Sequence, residues 1–133
     1  MNWEFTGLKV LISTIVGFIT GFLGGTDSIL ELLIFMIMVD FITGFIKGLK
    51  NKELSSEKIF FGGFKKITIL IIVAVAYQLE LGLGTNFNLR EITITYYIIQ
   101  ELVSIIQNAS EFTSVPDELV NFFDHFKNNK DEE

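Results

Sequence analysis

The chain contains no cysteine, which excludes disulfides, thiolate chemistry and cysteine-based metal sites. Histidine is almost as scarce: His125 is the only one in 133 residues, and it sits beside Asp124 in the tail, where a surface position is expected. Basic residues are outnumbered, 10 Lys and Arg against 16 Asp and Glu, and the net charge of −6 argues against nucleic acid as a partner. No nucleophile–base pair, phosphate-cradling glycine loop or metal-ligand spacing is present, and Gly62-Gly63 is too brief for a nucleotide loop. Neither enzymatic activity nor a cofactor or metal is therefore expected. A basic n-region and a small-residue cleavage site are missing too, Lys9 being the only nearby cation, so the first apolar run is expected to stay as an anchor.

What is present is apolar. Hydrophobic residues make up 50% of the chain, with 14 Phe against 1 Trp; the mean hydropathy is +0.49, and the even alternation of a soluble domain is lacking. The sequence predicts an all-α integral membrane protein with a single membrane domain. Four transmembrane helices are expected at about 8–26, 29–47, 62–79 and 92–109, three being the alternative. The β-branched residues of 67–76 and 92–95 would suit strands, but an unclosed sheet leaves backbone groups unsatisfied in lipid.

Charge placement sets the orientation. The loop 48–61 and its flanks carry Lys47, Lys50, Lys52, Lys58, Lys65 and Lys66 against Glu53 and Glu57. The other connectors, 24–28 and 80–91, hold only Arg90 as a cation. The positive-inside rule places the lysine-rich loop in the cytoplasm, and four spans put both termini there as well. The third apolar run extends backwards through Ile59–Phe64 if Lys65 and Lys66 snorkel.

The tail 114–133 changes character. Ser114 at a helix cap, Pro116 in the first turn and then Asp117 form a helix start. Leu119, Phe122, Phe123 and Phe126 follow at helical spacing, with Asp117, Glu118, Asp124 and Lys127 mostly elsewhere. This amphipathic helix could lie on the membrane, pack on a neighbouring subunit, or simply be a solvated tail.

Three constellations stand out. Ser13, Gly17, Gly21 and Gly25 recur at every fourth position, a small-residue stripe that lets helix backbones approach closely, between subunits or within the chain. Asp40, Gly44, Lys47 and Gly48 share one helix face with Thr43 at its edge. A charge inside a span costs about 2.5–3.5 kcal/mol on insertion scales, so this face must meet another helix, pair with Lys47 or line water, the plainer alternative being an Asp40 satisfied by a helix end or by a loop lysine. Glu101, Ser104 and Asn108 share a face of the fourth run, as inter-helix glue or pore lining, with Gln100 and Gln107 flanking it. Asp40 and Glu101 could also bind a proton or cation together.

Two segments resemble a known family. Asp-Phe-Ile-Thr-Gly (40–44), a lysine-rich loop with Ser55-Ser56, and Gly-Gly-Phe-Lys-Lys (62–66) form the first; Glu-Leu-Val-Ser-Ile (101–105), Asn108 and Val-Pro-Asp-Glu-Leu (115–119) form the second. In order and separation they are similar to the toxin-secretion/phage-lysis holins, bacteriophage holin family 4. Where that family often carries a second proline, Asp117 follows Pro116. The resemblance implies a multi-pass protein of the bacterial host inner membrane that homo-oligomerises in the lipid bilayer into lesions. These depolarise the cell and release endolysin for host cell lysis, or export a large toxin. It also implies possible control by an antiholin. Readings from other classes are a small proton- or cation-coupled four-helix transporter, for which the two halves show no self-similarity, a non-lytic antiholin, and an assembly factor for a membrane complex.

Overall fold

The computed structural model describes residues 2–131, with side chains for all of these except residues 123 and 126–131. The elements among the described residues are all helical: α1 Trp3–Phe22, α2 Ser28–Lys50, α3 Ser56–Leu83, α4 Leu89–Ala109 and α5 Asp117–Asp131. Three of them, α1, α2 and α3, are long and apolar enough to cross a membrane by length and composition. With 20 and 23 residues, α1 and α2 extend about 30 and 35 Å at about 1.5 Å per residue. A bilayer's hydrocarbon core is about 30 Å thick. The 28 residues of α3 extend about 42 Å and overhang that thickness. α4 has 21 residues and is amphipathic, with Arg90, Glu91 and Glu101 on it.

The helix ends differ from the sequence expectation for identifiable reasons. Nothing in the sequence interrupts the helix between Trp3 and Leu8, so α1 begins at Trp3 instead of about residue 8. It stops at Phe22, short of 26, because Gly24 and Gly25 adopt φ of +88° and +90°. The expected loop 48–61 contracts to 51–55. Gly48–Lys50 complete α2, and the Ser55 side chain caps α3 by accepting the Lys58 N–H at 3.2 Å. Lysine is a good helix former, so a run of lysines does not of itself end a helix. Likewise the connector 80–91 contracts to 84–88, α3 ending on Gly84 at φ +60°. α5 starts at Asp117 rather than after a Ser114 cap, with the Pro116 carbonyl accepting from the Leu119 and Val120 N–H groups. In the tail, Leu119, Phe122 and His125 are exposed. The side chains of Phe123, Phe126 and Lys127, and all of Glu132 and Glu133, lie outside the described residues.

α4 packs along α2 and α3 and so forms the centre of the bundle. Arg90 at its start reaches the α1–α2 connector, and Glu111 just past its end meets Lys47 and Lys50. It therefore runs parallel to α2 over the same length, with α3 antiparallel to both. The core is small: Leu23, Leu30, Leu33, Ile69, Val73 and Ile94 pack together. Most remaining large apolar side chains point outward. α1 buries no residue at all, with Val10 61% and Phe18 68% exposed. Burial inside one chain would leave this surface in water, so the bilayer itself is the solvent that stabilises it. Hydroxyls on the outer faces are satisfied locally, as where Thr14 donates to the Val10 carbonyl at 2.8 Å and Thr68 to Phe64 at 2.9 Å.

Candidate functional site

A cluster of charges occupies the middle of the bundle. Lys66 of α3 donates to the Asp40 carboxylate of α2 and, at 2.5 Å, to Glu101 of α4. One ammonium thus bridges three helices. The three side chains are 14%, 9% and 4% exposed for Lys66, Asp40 and Glu101. Asp40 lies about 15 Å along α2 from its Lys50 end, at about 1.5 Å per residue, so the cluster is about midway along that helix. Asn108 completes it, donating from Nδ2 to Asp40 Oδ1 and to Thr43 Oγ1, both at 3.1 Å. The Thr43 hydroxyl in turn donates to the Asp40 carbonyl at 3.1 Å. Gly44 faces Asn108 across the α2–α4 contact, where a Cβ would stand in ordinary contact 3.5 Å from Asn108 Nδ2.

The two polar faces read from the sequence therefore meet. Asp40, Thr43, Gly44, Glu101 and Asn108 come together, and Ser104 lies half-buried beside them. Of the alternatives for Asp40, contact with another helix is the one observed. It does not pair with Lys47, which lies 3.8 Å from Glu111 instead. The cation shared by Asp40 and Glu101 is the chain's own Lys66. That corrects the reading of Lys66 as a snorkelling loop residue: it is in register with the buried Ile69, Val73 and Ala76 on the inner face of α3. Lys50, Lys52, Lys58 and Lys65 remain exposed. Gly48 stands apart from the cluster, because a Cβ there would come within 2.7 Å of Leu54, which folds over it. In the small-residue stripe, Ser13, Gly17 and Gly21 are exposed, and nothing lies within 4 Å of a Cβ at Gly17, Gly21 or Gly25. The stripe therefore meets no other helix of the same chain along α1.

A second polar centre, unanticipated in the sequence, closes the opposite end. Arg90 is 3% exposed. Its guanidinium donates to the Leu23 and Gly25 carbonyls at 2.5 and 3.1 Å and to both Asp27 oxygens at 3.0 and 2.7 Å. Its backbone N–H is taken by Glu80 at 3.2 Å. Asp27 also caps α2 by accepting the Leu30 N–H, and the Arg90 hydrogen bond holds its carboxyl below the usual range. A bidentate fork aimed at a carboxylate and two carbonyls is what arginine geometry provides and lysine does not. That Arg90 is the lone arginine, at the start of an apolar run, is the signal that could have marked it.

The fold and site define a class: a helical membrane protein whose buried charges are paired inside the bundle. The profile of the bacteriophage holin family matches residues 17–128, and the chain belongs to that family. It is similar to an uncharacterized protein of Listeria monocytogenes, 40% identical over 88% of this chain and 86% of the relative. An uncharacterized 14.9 kDa protein of Clostridium perfringens is 34% identical over 98% of this chain and 95% of its own length. A probable holin of Bacillus phage phi105 is 33% identical over 68% of this chain and 67% of that protein. No solved structure matches.

Proposed function

We propose that the chain is a lytic holin. It accumulates in the bacterial inner membrane as a multi-pass protein and then oligomerises into lesions that depolarise the cell and release an endolysin, or export a large toxin. α4 serves as a fourth span whose polar face is covered by α2 and α3. The segment bearing Lys50, Lys52 and Lys58 then faces the cytoplasm by the positive-inside rule.

The observation that carries the reading is the Lys66–Asp40–Glu101 cluster about midway along α2. In the single chain one ammonium holds both carboxylates inside the bundle, so it can accumulate without opening a path for ions. Once chains associate, the same side chains can exchange partners and line water between subunits. The bare face of α1 around Gly17 and Gly21 supplies a surface for that association, because small residues allow close backbone packing.

The test is inducible expression in a bacterium that has a cytoplasmic endolysin but no holin of its own, following optical density and membrane potential together. Abrupt depolarisation and lysis after a delay is the expected result. Continued growth with the protein confirmed in the membrane refutes the lytic reading and favours an antiholin or a transporter.

A further inference from the structure

A cleft of about 340 Å³ lies between α2 and α3 on the side of the 51–55 loop, with Asp40, Lys66 and Asn108 of the charge cluster at its inner end. Its wall carries Lys47, Lys58, Lys65 and Lys66 against Glu53 and Asp40, over an apolar floor that includes Phe41 and Phe45. Lys58, Gly62 and Lys65 fall at i, i+4 and i+7, one face of α3. Among the described residues no carboxylate lies within ion-pair distance of Lys58 or Lys65, and Lys47 reaches Glu111 only at 3.8 Å. Gly62 forms part of the wall facing Phe41, where a Cβ would be in ordinary contact at 3.9 Å and a longer side chain would enter the cleft. Cations above an apolar floor, at the end of a helix that overhangs the hydrocarbon, match a molecule with an anionic head and an acyl tail.

We propose that this cleft binds the headgroup of an anionic phospholipid. The phosphate sits among Lys47, Lys58 and Lys65, and the first acyl carbons run down along Phe45 and Phe41 between the two helices. The site rests on the membrane placement proposed above, which puts this end of α3 in the cytoplasmic leaflet. A lipid held there would brace α2 against α3, the helices that supply Asp40 and Lys66.

The test reconstitutes the full chain in nanodiscs containing equal phosphatidylglycerol and phosphatidylcholine, extracts it gently, and counts retained lipids by native mass spectrometry. The wild type is expected to retain phosphatidylglycerol preferentially. Lys58→Gln and Lys65→Gln should each lower that preference about fivefold, the usual worth of one basic residue at a lipid surface. Gly62→Leu, which fills the cleft without altering charge, should lower it too, whereas Lys52→Gln, outside the cleft, should not. Circular dichroism confirms that each variant compared is helical. Equal retention of both lipids by the wild type overturns the site. So does an equal loss in Lys52→Gln and Lys58→Gln, which would mean diffuse attraction. Displacement of the lipid by inorganic phosphate would also overturn it, as a free-anion site. Lysis of expressing cells without lipid preference refutes this site alone; preference without lysis refutes the holin reading alone.

Discussion

The two buried polar centres handle charge in opposite ways. Arg90 is tied to fixed groups, two backbone carbonyls and the carboxylate that caps α2, so moving it means dismantling the turn at 23–27. Lys66 is held by side chains alone, Asp40 and Glu101, each on a different helix. A centre tied to backbone locks one geometry. A centre made only of side chains can be rebuilt with new partners when helices move or a second chain arrives. The bundle thus has an end locked to backbone at the Arg90 connector and a middle held by side chains alone, the arrangement the proposed lytic rearrangement would use.

The sharpest way to break the comparison is Lys66→Met, which leaves two buried carboxylates facing each other. Removing one partner of a buried ion pair costs about 3–5 kcal/mol, so unfolding in micelles should come at much lower denaturant and the onset of lysis should shift strongly. Ile71→Ala, at a lipid-facing position 55% exposed, should change both far less. Next comes the fixed end. Gly24→Ala places a methyl 2.5 Å from Arg90 Nε on a backbone at φ +88°, a strain of about 1–3 kcal/mol. It should lower the unfolding midpoint while moving lysis onset less than Lys66→Met does.

A smaller effect is expected from acid. Arg90 holds the folded Asp27 carboxyl below its usual value, so this pair's stabilisation is complete above the ordinary aspartate value of about 3.9. It is lost as pH falls through the lower folded value. Unfolding midpoints measured downward from pH 5 should show that loss in the wild type and lack it in Asp27→Asn. The smallest effect on stability is expected from Gly17→Leu: with open space around position 17, the midpoint should not move, yet crosslinked oligomers should decline.

Much of this arrangement is legible in the helical period. The offsets of Asp40, Thr43 and Gly44, and of Glu101 and Asn108, identify two faces that lipid would reject, and the structure joins them. Their cation is harder to read. Lys65 and Lys66 stand at the edge of an apolar run and look like its end, whereas α3 continues back to Ser56 and carries Lys66 on its buried face. Arg90 is harder still, because the two carbonyls and the Asp27 carboxylate that hold its guanidinium lie more than 60 residues away in sequence and local spacing carries no trace of them. Pairing between distant elements depends on tertiary packing, which a periodicity in one helix cannot specify.

The chain has no cysteine, so one introduced thiol reports on one position. The most direct measurement is therefore Ser104→Cys, one turn from Glu101 on the polar face of α4, probed with a membrane-impermeant thiol reagent before and after depolarisation, with Ile71→Cys as the lipid-facing control. The account predicts protection of position 104 while the protein accumulates, labelling once lysis begins, and no labelling of position 71 at either stage. Equal labelling of position 104 before and after depolarisation, or its continued protection in cells that lyse, would contradict the claim that the buried polar face becomes the lining of the lesion.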